Sequence, residues 1–97
     1  MADDRNNTWR KAQKQAFGRR LTQARKAMKG PDGKPLYKRT ADFIEAIKER
    51  VPDARIRSYY SHEAGDRVPQ DDATIELYAE MLDTTSHWLL FGGDEGV

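Results

Sequence analysis

The chain has 97 residues, 37% apolar and 34% charged, with a formal net charge of +1. That length makes one small domain, and so thin an apolar fraction supports a core only a few helices deep. There is no cysteine, which excludes disulfide staples, thiolate metal sites and cysteine nucleophiles. No apolar run reaches membrane-span length and "MADDRNN" lacks the order of a signal peptide, so a cytoplasmic protein with no membrane partner is expected.

Taken in chain order, the pattern is all-α, with no strand-period alternation. Thr8 can cap a first helix on which Ala16, Phe17, Leu21, Ala24 and Met28 recur at helical spacing, with Gly18 as a local weak point. "GPDGKP", residues 30 to 35, is turn chemistry. Thr40 is placed to cap a second helix with Phe43, Ile44, Ile47 and Val51 on its inner side, and Pro52 ends it, leaving Asp53 as the next cap.

The third helix lies in "ARIRSYYSHEAGDRVP", residues 54 to 69. At 100° per residue Ile56, Tyr59, Tyr60 and Glu63 share the inner side, while Ala54, Ser58 and Ser61 lie outside, flanked by Arg55, Arg57 and His62. A strip that is small in the middle and basic at its edges can approach a groove floor while its long side chains reach bases and phosphates. It is equally the pattern of a short amphipathic helix with small residues exposed. Gly65 stops this helix, Asp71 or Asp72 can cap a fourth through Ile75, Tyr78, Ala79 and Leu82, and Thr85 a fifth, "SHWLLF". The expectation is a compact five-helix bundle containing a helix-turn-helix. Residues 1–15 would form a basic arm or helix extension, 16–93 the domain and 94–97 a frayed tail.

The near-neutral total hides a division. Residues 1 to 50 carry 14 Lys+Arg against 6 Asp+Glu, or +8, and residues 51 to 97 carry 3 against 10, or −7. The basic half can be the footprint that attracts a polyanion, or a well-solvated helical surface with no partner. At the start of the second helix, Lys38, Arg39 and Thr40 can offer positive charge and backbone N–H groups to a phosphate. On the outer strip of the third, Arg55, Arg57, Ser58 and Ser61 are the candidates for base contacts, with the Tyr60 hydroxyl near enough to the edge to reach a phosphate.

Several segments together resemble the lambda repressor-like (Cro/CI-type, XRE-like) helix-turn-helix family. They are "RRLTQAR", then His62, Glu63, Gly65 and Arg67, then Tyr78, Ala79 and Leu82, and finally Thr85, Trp88, Leu89, Leu90 and Gly92. The resemblance covers roughly residues 16 to 93 and is most specific at its end. It implies a DNA-binding transcriptional regulator, of the phage or prophage repressor type, that binds an inverted-repeat operator as a homodimer with the third helix in the major groove. It implies that Arg25 pairs with Glu63, tying the recognition helix to the scaffold, and that Arg67 joins the phosphate contacts. Two departures stand out: the loop from Gly30 to Arg39 is longer than the family's, and "KERVPDA" lengthens the link between helices two and three. Counting back from Glu63 sets the register in which Tyr59 is buried.

Enzymatic chemistry finds no support. His62-Glu63 lacks the second histidine of a zinc motif, His87 is the only other histidine, and two scattered histidines make no Ser-His-Asp arrangement. No metal, cofactor or small-molecule ligand is expected. Trp88 is expected to pack inward, and Leu89, Leu90 and Phe91 exceed what so small a domain can bury, so part of this surface is expected at a two-fold contact, unless the helix simply closes the core. An alternative to the regulator is a protein-interaction module, antitoxin-like or inhibitory, on the same scaffold. A third alternative is that the chain is the N-terminal, DNA-binding part of a longer repressor.

Overall fold

The computed structural model describes residues 5–52 and 58–92. They form six helical segments: α1 (Arg5–Thr8), α2 (Lys11–Ala27), α3 (Thr40–Arg50), α4 (Ser58–Ala64), α5 (Asp72–Met81) and α6 (Ser86–Phe91). Among the described residues the only extended pairing is an isolated antiparallel bridge between Lys29 and Pro35. None of these helices is long and apolar enough to cross a membrane.

Where each helix begins follows from which side chain reaches an orphan backbone donor. Asp71 caps α5, its carboxylate accepting from Thr74 N–H at 3.3 Å and Thr74 Oγ1 at 2.7 Å. Thr85 caps α6 by accepting from Trp88 N–H at 3.1 Å. Two expected caps are displaced. Thr8 closes the single turn α1, and α2 starts after an extended Arg10, whose N–H is taken by Gln13 Oε1 at 2.7 Å. Likewise α3 starts after Arg39, whose N–H donates to Asp42 Oδ2 at 2.9 Å, so Thr40 is the first helical residue. In both cases an acceptor three positions into the helix does the capping. Asp53, expected to cap the third helix, lies outside the described residues.

The core draws on every long element. Phe17 and Leu21 of α2, Phe43 and Ile47 of α3, Tyr59 of α4, Val68, Ile75 of α5 and Leu89 of α6 are at most 1% exposed. Phe43 is the aromatic centre, with ring centroids 5.0 Å from Tyr37, 5.1 Å from Tyr59 and 6.3 Å from Tyr78. These tilted and edge-on contacts suit the ring quadrupoles.

Gly18, expected as a local weak point of its helix, is a point of close approach to α4. A Cβ there would sit 2.5 Å from the Glu63 carbonyl oxygen and 2.9 Å from both Gly65 N and the His62 carbonyl. Helix α2 thus lies directly on the C-terminal end of α4. The approach is reciprocal: Gly65, at φ +83°, ends α4, and a Cβ on it would lie 2.8 Å from Gln15 Cα. Helix α2 runs continuously across position 15, the expected boundary between an arm or helix extension and the domain.

Candidate nucleic-acid interface

The site is built around one guanidinium. Arg25, 4% exposed, donates from Nε to Glu63 Oε2 and from Nη2 to Glu63 Oε1, both at 2.9 Å. Its Nη1 donates to the carbonyls of Tyr37 at 2.8 Å and Lys38 at 3.0 Å. The Thr40 hydroxyl donates to Glu63 Oε1 at 3.0 Å. Freed from capping, Thr40 thus joins the start of α3 to the end of α4. Burial by itself would raise the Glu63 pKa, but the Arg25 guanidinium and the Tyr59 and Thr40 hydroxyls outweigh it and hold the carboxyl below its ordinary value. The Tyr59 hydroxyl is buried without a hydrogen bond of normal geometry. It still faces this carboxylate, and burial together with the nearby negative charge drives the phenol strongly upward.

Around this node the structure sorts the expected contact residues. Lys38, Arg39 and Arg67 are exposed, and Arg39 also reaches Asp42 Oδ1 at 3.4 Å. Hydrogen bonds from Arg39, backbone first, keep the Asp42 carboxyl low. Ser61 is half-buried, and its carbonyl accepts from Asp66 N–H at 3.0 Å and Arg67 N–H at 3.4 Å where the chain leaves α4. Arg55 and Arg57 lie outside the described residues, as does the side chain of Ser58, whose backbone opens α4.

Two positions on α4 are reversed from the helical-wheel expectation. Tyr60, expected inside, is 57% exposed, and His62, expected on the outer flank, is 5% exposed. The inner side of α4 is centred on Tyr59 with His62 and Glu63 at its borders. Close contact with α2 at Gly18 and a hydrogen bond from α4 to α5, His62 Nδ1 to Tyr78 Oη at 2.9 Å, set that rotation. Burial, reinforced by the Arg67 charge and opposed by Asp71, lowers the His62 pKa to about 4.

The α6 residues expected at a two-fold contact differ in exposure. Leu89 is fully buried and is thereby removed from any contact between copies, while Trp88 and Leu90 are half-buried and Phe91 is 61% exposed. Phe91 lies against Trp9, centroids 6.2 Å apart, and against His87 at 5.2 Å. A role missed from sequence belongs to Arg20. Its Nε and Nη2 donate to the carbonyls of Leu89 and Leu90, each at 3.0 Å, holding the last turn of α6 on α2. The second arginine of "RRLTQAR" was the available signal, since cations suit a helix C-terminus.

Among the described residues no group of three or more His, Asp or Glu side chains is gathered to hold a metal ion. Comparison with models of known families, with curated proteins and with solved structures gives no significant match.

Proposed function

We propose that this chain is a sequence-specific DNA-binding regulator in which α3 and α4 act as a helix-turn-helix and α4 enters the major groove. The observation that carries the reading is the Arg25 node. One buried guanidinium bonds to Glu63 at the end of α4 and to the carbonyls just before α3, so the two helices and the exposed Lys38 and Arg39 are held in one fixed relation. Preorganised phosphate contacts beside a reading helix are what duplex recognition requires. The charge division, +8 against −7 between the halves, is its independent support.

In this reading Lys38, Arg39, Tyr60 and Arg67 contact phosphates, and Arg55, Arg57, Ser58 and Ser61 read bases. Two copies bind an inverted repeat, with Leu90 and Phe91 but not Leu89 at their contact. Thr40 contributes through its backbone, because its hydroxyl is committed to Glu63.

Selection from a randomised duplex library, followed by fluorescence anisotropy on the enriched sequence, tests the reading. The expected result is an enriched inverted repeat bound far more tightly than random duplex. Arg57→Ala should cost roughly 1 to 3 kcal/mol on that repeat and much less on random DNA. Lys38→Ala should weaken both alike. Selection that enriches nothing, with no salt-dependent duplex binding, would sink the reading in favour of the protein-interaction module.

A further inference from the structure

Between α2 and α3 the chain does not cross as a slack loop. Leu36 N–H donates to the Met28 carbonyl at 3.0 Å, Gly30 N–H to the Lys34 carbonyl at 2.9 Å and Gly33 N–H to the Gly30 carbonyl at 2.9 Å. Gly33, at φ +79° with open space where a Cβ would be, makes the reversal. The result is a small hairpin closed by the Lys29–Pro35 bridge. Its far limb is held at the base: Arg25 grips the Tyr37 and Lys38 carbonyls, and the Tyr37 ring packs edge-on against Phe43.

The charge on this hairpin is lopsided. Lys29 and Lys34 are exposed, and neither joins an ion pair among the described residues. The one carboxylate in residues 28–39, Asp32, accepts the Lys34 N–H at 3.0 Å, serving the turn itself. Exposed Lys38 and Arg39 continue the basic run to the first turn of α3. A folded arm of this kind, anchored on the guanidinium that also holds α4, keeps its lysines in a fixed position relative to the reading helix.

We propose that the residue 28–39 arm is a second contact element for double-stranded DNA, in which Lys29 and Lys34 neutralise backbone phosphates flanking the base pairs read by α4. This rests on the DNA-binding reading above and extends the covered site beyond what α3 and α4 reach. Duplex is the class that fits. Lysines on a rigid support suit a regular array of phosphates, whereas single strands are gripped by exposed rings on which bases stack, and the arm's one ring, Tyr37, is half-buried against Phe43.

The test compares the full chain with the Lys29→Ala/Lys34→Ala variant, and with Lys29→Arg/Lys34→Arg, which keeps the charge. Each is titrated with the selected duplex, a random duplex and a single strand between about 50 and 200 mM salt, alongside hydroxyl-radical footprinting. Urea unfolding should give the same midpoint for all three proteins, since both side chains are exposed. The alanine pair should lower the log–log salt slope by about two units on both duplexes and leave their affinity ratio unchanged. It should also lose footprint protection at the flanks of the site, and the arginine pair should restore slope and footprint. An unchanged slope and footprint in the alanine pair, with duplex binding intact in the parent, would overturn the arm and spare the reading helix. A loss confined to the selected sequence, or stronger binding of the parent to single strands, would also overturn it. A parent that binds no duplex would remove both.

Discussion

Arg20 and Arg25 stand five positions apart on α2 and fasten different parts of the molecule to it. Half-buried Arg20 donates to the carbonyls of Leu89 and Leu90 in the last turn of α6. Buried Arg25 meets a carboxylate in fork geometry as well as two carbonyls. What each loss costs depends on what is left behind. Removing Arg20 leaves helix-end carbonyls that water can solvate; removing Arg25 leaves a charged carboxylate, 11% exposed, without its counterion. The Arg25 attachment, on the α4 side, is therefore expected to be the costlier of the two to lose.

The largest expected effect tests this directly. Arg25→Ala should destabilise the protein by about 3 to 5 kcal/mol in urea unfolding. Arg25→Ala/Glu63→Ala should lose clearly less than the sum of the single variants. Additive losses would mean the pair contributes no coupling and the contrast with Arg20 is empty.

Protonation probes the same side of the bundle. The folded-state pKa of His62 is depressed to about 4, below its ordinary value near 6.5. The unfolded chain therefore binds the proton first: the stability from neutral His62 is present above about pH 6.5 and drains away as pH falls toward 4. At about 1.4 kcal/mol per unit the loss is on the order of 3 kcal/mol. Glu63, also depressed, adds a loss in the same direction at lower pH. Unfolding midpoints at pH 7 and pH 4.5 measure this, and His62→Gln should flatten the difference. An unchanged slope in that variant would reassign the acid sensitivity to the carboxylates.

Gly18→Ala should cost about 2 to 3 kcal/mol, because the new methyl meets backbone atoms of α4 that have no rotamer to adjust. The sign is the informative part, since in an exposed helix the same change would gain about 1 kcal/mol. Stabilisation by Gly18→Ala would show that α2 and α4 separate readily at this contact.

Arg20→Ala, the smallest of the stability effects, should cost about 1 kcal/mol, the scale of hydrogen bonds exchanged for water. It should leave the Arg25–Glu63 coupling untouched. Arg39→Ala should leave the unfolding midpoint unchanged, because its pairing with Asp42 is exposed. A loss at Arg20 equal to that at Arg25 would erase the distinction between the two sides.

Much of the framework could be read from the chain itself. The helical stretches from α2 onward followed from apolar spacing, the Thr85 cap, and Asp71 as one of two candidates, from their place before apolar runs, the turn at residues 30–35 from its glycines and prolines, and the exposed Lys38, Arg39 and Arg67 from charge. The pairing of Arg25 with Glu63 had no local signal and came only through resemblance. Arg55 and Arg57, the arginines expected to read bases, fall outside the described residues.

Spacing, caps and turns act between residues a few positions apart, so sequence alone indicated the helical segments from α2 onward, but not α1, together with the Phe43, Ile47, Ile75 and Leu82 core positions and the separation of basic from acidic halves. Tertiary structure decided how each segment is rolled about its axis. In α4, seven residues long, Tyr60 faces out and His62 in because Gly18 lies far earlier in the chain and Tyr78 later. In α6 it is Leu89 that is fully buried, with Trp88 only half-buried, and Arg20 grips the carbonyls of the last turn from 69 and 70 positions away. A short helix carries too few apolar residues to set its own rotation. Contacts distant in sequence set it instead, because only they decide which side chains water can leave.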